Sequence, residues 1–433
     1  MGPGRRANAG RASVVQYVLI VPASLFRQRE FALLFAGQTI STAGTAINTL
    51  ALPLVALTVL HASPFAVSLV TAADQIGWLV IGLVAGVWVD RVRRRPVMIG
   101  ADLARAAMVV TVPVAWALDA LTLAHLAGVA LLVGLLTVLF DVAYPAYLPA
   151  VVARERLVEG NGHLQAGQLT ATIVGPGLGG VLVQALGAPV ALLADSASYL
   201  ASAASISGMR TAEPVSDRTE RPGLRVDLAE GLRHVWRHTL TRVNLTVAPV
   251  ANFVFGGYNA LHLVFLYREV HVAPGLIGVL LAFAGAGGVA GAVLVNRLAA
   301  RLGDARVITY ATAVVALFGL LIPLTHGGAG LAWFAVGAFG LDFGLVCYNV
   351  CILSAIQTVT PPRLMGRVTA SIRLVSRTAI PAGALVGGAL ATVFTARIAL
   401  VLLLALQLFV PVRVWFSPVG RVRRTAELLS RSP

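Results

Sequence analysis

The sequence predicts an all-α integral membrane protein, with twelve transmembrane helices in two pseudo-symmetric six-helix bundles. Three observations carry that reading. Of 433 residues, 58% are hydrophobic and only 12% charged, with a mean hydropathy of +0.85, whereas roughly 25% of residues in soluble domains are charged. Twelve apolar runs reach the length of about 20 residues that a helix needs to cross about 30 Å of hydrocarbon. The two halves of the chain also repeat one another at a nearly constant offset.

The runs fall at 32–59, 65–89, 97–118, 122–146, 163–186 and 188–209 in the first half, and at 244–267, 274–298, 306–325, 329–355, 369–392 and 396–416 in the second. Ahead of them, residues 1–26 join Arg5, Arg6 and Arg11 to a short apolar run ending at Phe26, in outline like a signal peptide. No small-x-small cleavage site follows, and Arg27, Arg29 and Glu30 lead straight into the first span. Residues 1–30 therefore read as a cytoplasmic N-terminal segment, followed by a bundle at 31–209, a linker at 210–243, a second bundle at 244–416 and a cytoplasmic tail at 417–433. Only a turn around Gly187, Ala188 and Pro189 separates spans five and six. Within the linker, Leu228, Leu232, Val235 and Trp236 share a helical face beside Arg233 and Arg237, which predicts an amphipathic helix on the membrane surface.

The repeat shows in GLVAGVWVDR (82–91), which aligns with GVAGAVLVNR (288–297) at an offset of 206, matching Asp90 to Asn296 and Arg91 to Arg297. Arg156-Leu157 matches Arg363-Leu364 at an offset of 207. Parallel duplication of a six-helix unit is what a substrate path between two halves leads one to expect.

Charge excludes several functions. There are 33 basic and 18 acidic residues, a net +15, and every basic residue is arginine. Without lysine there is no Schiff-base chemistry and no P-loop lysine, so the chain does not hydrolyse its own ATP. Two cysteines exclude a disulfide framework or a four-cysteine zinc site. The spans contain no spaced metal-ligand set and no serine–histidine pairing, so neither an enzyme nor a metal or cofactor is expected. Of the 33 arginines, 28 lie in the termini, the even-numbered loops and the span ends that border them; Arg105, Arg373 and Arg377 lie deeper inside spans, and Arg268 and Arg397 on the other side. Cytoplasmic loops are enriched in basic residues, so both termini are predicted to face the cytoplasm from a plasma membrane. The charge then reports topology, and nucleic acid is not an expected partner.

Two motifs stand out. GVWVDRVRRRP (86–96) puts Gly86, Asp90, Arg91 and Arg94 at the end of span two and in a tight basic loop. Span five carries Gly162, Ala171, Gly175-Pro176 and Gly179-Gly180, where proline kinks the helix and glycines admit a close neighbour. Together they resemble the signatures of the major facilitator superfamily, with departures at Val89, at Arg93 and in the degenerate second copy (Asn296, Arg297, Arg301). LFDVAYPAYLPAVV (139–152), NGHLQ (161–165), TPPRLMGRV (360–368) and Asp195-Ser196 are similar to the drug:proton antiporter branch containing macrolide efflux proteins and the enterobactin exporter. The resemblance implies alternating access and proton-driven export of an amphipathic drug, antibiotic or siderophore-like molecule. It further implies gating by Gly86, Asp90, Arg91 and Arg94, and antiport through Gly175, Pro176, Gly179 and Gly180.

Ionisable residues within a span cost roughly 2.5 to 3.5 kcal/mol at its centre and are functional hypotheses by default. Asp74, Asp195 and Asp342 lie near mid-span, and Asp102, Arg105 and Asp141 nearer the cytoplasmic end. In the resembled family spans one, four, seven and ten line the cavity. That makes Asp342 the first proton-coupling candidate, followed by Asp74 and Asp141. Asp102 and Arg105, three apart, read as a structural ion pair, while Arg373 and Arg377 either hold an anionic group or snorkel to the surface. Polar stripes at Gln38, Thr42, Thr45 and Asn48 and at Asn252, Tyr258, Asn259 and His262 must face protein or water. They line the substrate cavity or bond helix to helix. Cys347 and Cys351 pack, and Gly285, Gly287, Gly288 and Gly291 imitate a dinucleotide fingerprint inside a span, where close helix packing explains them. The expected protein is a monomeric exporter whose partners are a small molecule, protons and the bilayer. A proton-coupled importer and a transport-inactive membrane sensor or scaffold are the alternatives.

Overall fold

A chain in hydrocarbon has to satisfy its peptide groups internally, and in a computed structural model twelve helices among the described residues are long and apolar enough to span a membrane. The structure describes residues 25–89, 92–153, 156–211, 233, 235–236, 238–361, 364–425 and 427. Asp90 and Arg91 of the gating motif, most of residues 1–30, Leu228, Leu232 and Arg237 of the linker face, and Arg363 lie outside the described residues. The first bundle comprises α1 (Arg29–Thr58), α2 (Pro64–Val89), α3 (Arg94–Ala117), α4 (Leu123–Val151), α5 (Leu157–Leu186) and α6 (Ala188–Ser207). The second comprises α7 (Thr239–Val264), α8 (Pro274–Leu302), α9 (Asp304–Gly319) and α10 (Leu331–Val359), then an eleventh span of α11 (Met365–Arg377) and α12 (Ala379–Val393) and a twelfth of α13 (Ala396–Leu406) and α14 (Phe409–Trp415).

Both divided spans break four residues before a proline. Pro381 has no N–H to offer the Arg377 carbonyl and crowds it with its ring, and Pro411 does the same to Gln407. Hydropathy alone places the start of α5 at 163, yet the helix begins at Leu157, because the polar turn containing Glu159 and Asn161 is helical as well. Arg156 closes that turn by donating to both oxygens of Glu159 at 2.9 and 3.0 Å.

Packing repeats between the halves. The helix α1 packs on α5 and α6, α2 on α4, and α3 on α4 and α6; six spans later α7 packs on α12 and α13, α8 on α10, and α9 on α10 and α14. Across the divide α5 meets α8 and α2 meets α12. The apolar cores show how the halves meet. On the face away from the termini one cluster joins both bundles, including Leu57, Val183, Phe265, Ile277 and Leu400. On the arginine-rich face each bundle keeps its own, around Met98 and Tyr147 in the first and Val307 and Ile356 in the second. The bundles are therefore sealed together on the first face and separate on the second.

Two close approaches make that seal. Gly180 of α5 stands against Gly278 of α8, and a β-carbon built on Gly180 would lie 2.7 Å from the Pro274 carbonyl oxygen and 2.8 Å from Gly278 Cα. At α2 and α12 the Phe65 N–H donates to Thr392 Oγ1 at 3.2 Å, beside Gly388, whose missing side chain leaves room for Ser68. On the same face Glu269 accepts from the N–H groups of Ala396 and Arg397 at the start of α13, at 2.5 and 3.2 Å, an anion on a helix N-terminus. Arg397 itself donates to the Pro323 carbonyl and stacks on Phe265, 4.9 Å from its ring centre. Those bonds occupy one of the two arginines that depart from the charge asymmetry.

Candidate functional site

Between the bundles lies a cavity of ≈ 320 Å³, within the range of small-molecule sites. Its walls come from α1 (Thr45, Asn48, Thr49), α2 (Thr71, Asp74, Gln75, Trp78), α4 (Gly134, Thr137), α6 (Tyr199), α7 (Phe255, Asn259, His262) and α12 (Ile380, Ala384). It is lopsided, with most polar groups supplied by the first bundle. Asp74 is held rigidly where α2 crosses α4: Gly134 lies directly against the Asp74 carbonyl, leaving no space for a side chain. One Asp74 oxygen accepts from Gln75 Nε2 at 2.8 Å.

Behind the cavity wall runs a buried polar chain. Asn48 Nδ2 donates to Asp195 Oδ2 at 2.5 Å, and the hydroxyls of Thr45 and Tyr199 share a hydrogen bond of 3.1 Å. Tyr199 in turn forms one face of a sandwich around Arg105, whose guanidinium lies 4.3 Å from the Tyr199 ring and 4.6 Å from that of Phe140. Arg105 pairs with Asp102 and donates to Thr137 Oγ1 at 3.4 Å. Asp102, Arg105 and Asp195 are all buried. Arg105 thus pairs directly with Asp102, while Asp195 is held by Asn48.

The Asp102–Arg105 pair makes a stability prediction. Removing one partner of a buried ion pair leaves the other charge uncompensated and costs about 3–5 kcal/mol, whereas replacing both by apolar residues is often neutral. Arg105→Met is expected to lower the detergent-unfolding midpoint markedly, and Asp102→Leu combined with Arg105→Met to recover much of it.

The sequence-predicted residues divide. Thr45, Asn48, Asn259 and Asp74 line the cavity, whereas Gln38, Thr42, Asn252, Asp141 and Asp342 are not among the residues lining it. The Thr42 hydroxyl and Asn252 amide bond back to their own helices, to the carbonyls of Gln38 and Ala248; Asn259 does the same to Phe255. Asp342 sits on α10 near Gly288 of α8, and Asp141 is exposed on α4. Arg377 neither snorkels away nor stands alone: its guanidinium lies 4.5 Å from the ring of Trp78, bridging α11 to α2. Within the glycine–proline motif of α5, Gly175 and Gly179 fit against Ala43 and Ile47 of α1, while Pro176 and Gly180 face Gly278 of α8. Gly86 lies in the last turn of α2 and Arg94 opens α3. The Asn48–Asp195 pairing and the Trp78–Arg377 stack were not legible beforehand, since each joins helices more than a hundred residues apart.

Comparison with known proteins agrees with this architecture. Over 393 residues the chain is 31% identical to the multidrug efflux pump Tap of Mycobacterium tuberculosis (strain ATCC 25618 / H37Rv), a match covering 84% of this chain and 87% of that one. Over 388 residues it is 27% identical to the uncharacterized MFS-type transporter YfiS of Bacillus subtilis (strain 168), covering 85% and 88%. Among solved structures it resembles the nucleoside transporter NupG, with a TM-score of 0.74 at 9% identity over 89% of this chain and 98% of that one. It also resembles a bacterial homologue of the iron transporter ferroportin in an inward-facing state, with a TM-score of 0.67 at 17% identity over 89% and 98%. These two likenesses speak for the fold alone. The sequence further matches the Major Facilitator Superfamily over residues 34–384, so a twelve-helix membrane chain with a cavity between two similar bundles belongs to that family of transporters.

Proposed function

We propose that this chain exports an amphipathic small molecule, of the drug or antibiotic class, by proton antiport through alternating access. The observation that carries the reading is the ≈ 320 Å³ cavity between the bundles, shut on one face and holding a carboxyl group. In this proposal the arginine-rich face is cytoplasmic, the membrane is the plasma membrane, the working unit is a monomer, and the seal formed by α2, α5, α8 and α12 belongs to an inward-open state. Trp78 and Phe255 offer aromatic surface to a flat apolar molecule, and Asn48, Gln75 and Asn259 offer hydrogen bonds. Export is favoured over import by the 31% identity to a chain named a multidrug efflux pump.

The exchanging proton is assigned to Asp74, with Asp195 as its buried neighbour, and Asp342 takes second place because it does not line this cavity. A protonated Asp74 leaves the cavity neutral, and the proton taken up on one face is released on the other as substrate moves the opposite way. The loop containing Asp90 and Arg91 is assigned the role of holding the opposite, outward-open state, with Gly86 and Arg94 at its ends.

Expression in an efflux-deficient host tests the function. The expected result is at least a fourfold rise in inhibitory concentration for one or more amphipathic antibiotics or dyes, abolished by a protonophore. Everted vesicles check direction: ATP-generated inside acidity drives the same compound into the lumen if the chain is an exporter. Uptake driven only in right-side-out vesicles would make it an importer.

A further inference from the structure

A second cavity, of ≈ 640 Å³, lies at the arginine-rich end of the first bundle, lined by Arg93, Arg95, Pro96, Ile99, Gly100, Arg210 and Thr211. Three of those seven are arginines and none is acidic. Two of them are set in place by the fold. Arg95 donates to the carbonyls of Ile206 and Ser207 at 3.1 and 2.7 Å, which ties the start of α3 to the end of α6. The Arg210 backbone N–H donates to both oxygens of Glu30 at 3.1 and 3.0 Å, which fixes where the chain leaves α6. Arg93 precedes α3 and is exposed, as is Arg210.

What leads into this pocket decides its ligand. Over the first four turns of α3 the exposed positions are Pro96, Gly100, Leu103 and Ala107, and down α6 they are Leu193, Ala197, Leu200, Ala204 and Ser207. Both sets follow the 3-to-4 residue spacing of one helix face, and α3 packs beside α6. Leu103 is 49% exposed and Leu200 50% exposed, as suits surfaces bathed in hydrocarbon. Two tracks of exposed, largely apolar side chains therefore run along neighbouring helices toward the ends that carry the three arginines. The corresponding crevice of the second bundle differs, because Arg423 donates there to the carbonyls of Arg301 and Leu302, and Asp304 accepts from Thr425.

We infer that this pocket binds an anionic phospholipid of the arginine-rich leaflet, the phosphodiester lying against Arg93 and Arg210 in the field of Arg95 and the acyl chains along the two tracks. Arginine suits such a group because its planar fork meets phosphate oxygens in pairs. Basic pockets at the cytoplasmic ends of spans are a recurrent place for lipid headgroups.

Native mass spectrometry of the detergent-purified full chain tests this. Dioctanoyl phosphatidylglycerol is titrated against the wild type, against Arg93→Gln/Arg210→Gln and against Arg93→Lys/Arg210→Lys, with dioctanoyl phosphatidylcholine and inorganic phosphate as comparison probes. The glutamine pair should bind phosphatidylglycerol at least tenfold more weakly. The lysine pair, which keeps the charge but not the paired donors, should bind more tightly than the glutamine pair and more weakly than the wild type, and phosphatidylcholine should bind weakly throughout. Equal phosphatidylglycerol binding by the wild type and the glutamine pair would overturn the proposal. Displacement of the lipid by inorganic phosphate at the same concentration would overturn it too, since the site would then be one for free anions.

Discussion

Asp74→Asn is expected to keep exchanging substrate across the membrane while losing the ability to move it uphill. Asparagine has the size of a protonated aspartate and can still take the Gln75 hydrogen bond now seen at 2.8 Å, but it has no proton to give up. In one-for-one antiport each pH unit of gradient supports about a tenfold concentration ratio, since one unit is 1.36 kcal/mol. With two units imposed across reconstituted vesicles, the wild type should approach a ratio of about 100, and Asp74→Asn should stay near one. Exchange of labelled for unlabelled substrate at equal pH should differ between the two by no more than a few fold. Asp342→Asn and Asp141→Asn, whose side chains lie off the cavity wall, are expected to retain most of the uphill transport. The assignment fails if Asp74→Asn still concentrates substrate while Asp342→Asn does not, for the proton path would then run through α10.

Asp74 and Asp342 also show where reading a sequence ends and needs the fold. Twelve spans, their order and the arginine asymmetry were legible because hydrocarbon imposes length and apolarity on each helix separately. The repeat was legible because Asp90-Arg91 and Asn296-Arg297 preserve its register. Which face of each helix points inward is set by neighbours, and there local pattern gave mixed results. The stripe at Gln38, Thr42, Thr45 and Asn48 is continuous in sequence, yet only its last two members reach the cavity, because α1 leans on α6 near Gly37 and Gly44. Asp195 was visible as a mid-span carboxyl, but nothing on α6 alone says that Asn48, 147 residues earlier, meets it. The division of α11 from α12 was legible in principle from Pro381, though hydropathy averages over such a break.

Gly278→Leu, at the seal, is expected to abolish transport by preventing closure of the face opposite the termini. Even a β-carbon on Gly278 would lie 2.5 Å from the Pro176 carbonyl oxygen and 2.8 Å from Gly180 Cα. Both are backbone atoms, so neither can swing aside, and a leucine forces α5 and α8 apart. Overpacking a close contact costs about 1–3 kcal/mol, and here the cost falls on only one of the two transport states. Opened on that face, the bundles have room between α5 and α8. A difference of that size shifts the ratio of the two states by about 5–150-fold. A Thr49→Cys probe reads the shift, because Thr49 lines the cavity and the native Cys347 and Cys351 are buried. A membrane-impermeant maleimide applied to the sealed face should label that probe at least tenfold faster when Gly278→Leu is also present. Gly128→Leu, on α4 with no atom within 4 Å of where its β-carbon would lie, should change the rate little. Equal labelling with and without Gly278→Leu would mean that the α5–α8 contact is not what closes this face, and the seal would then rest on α2 and α12.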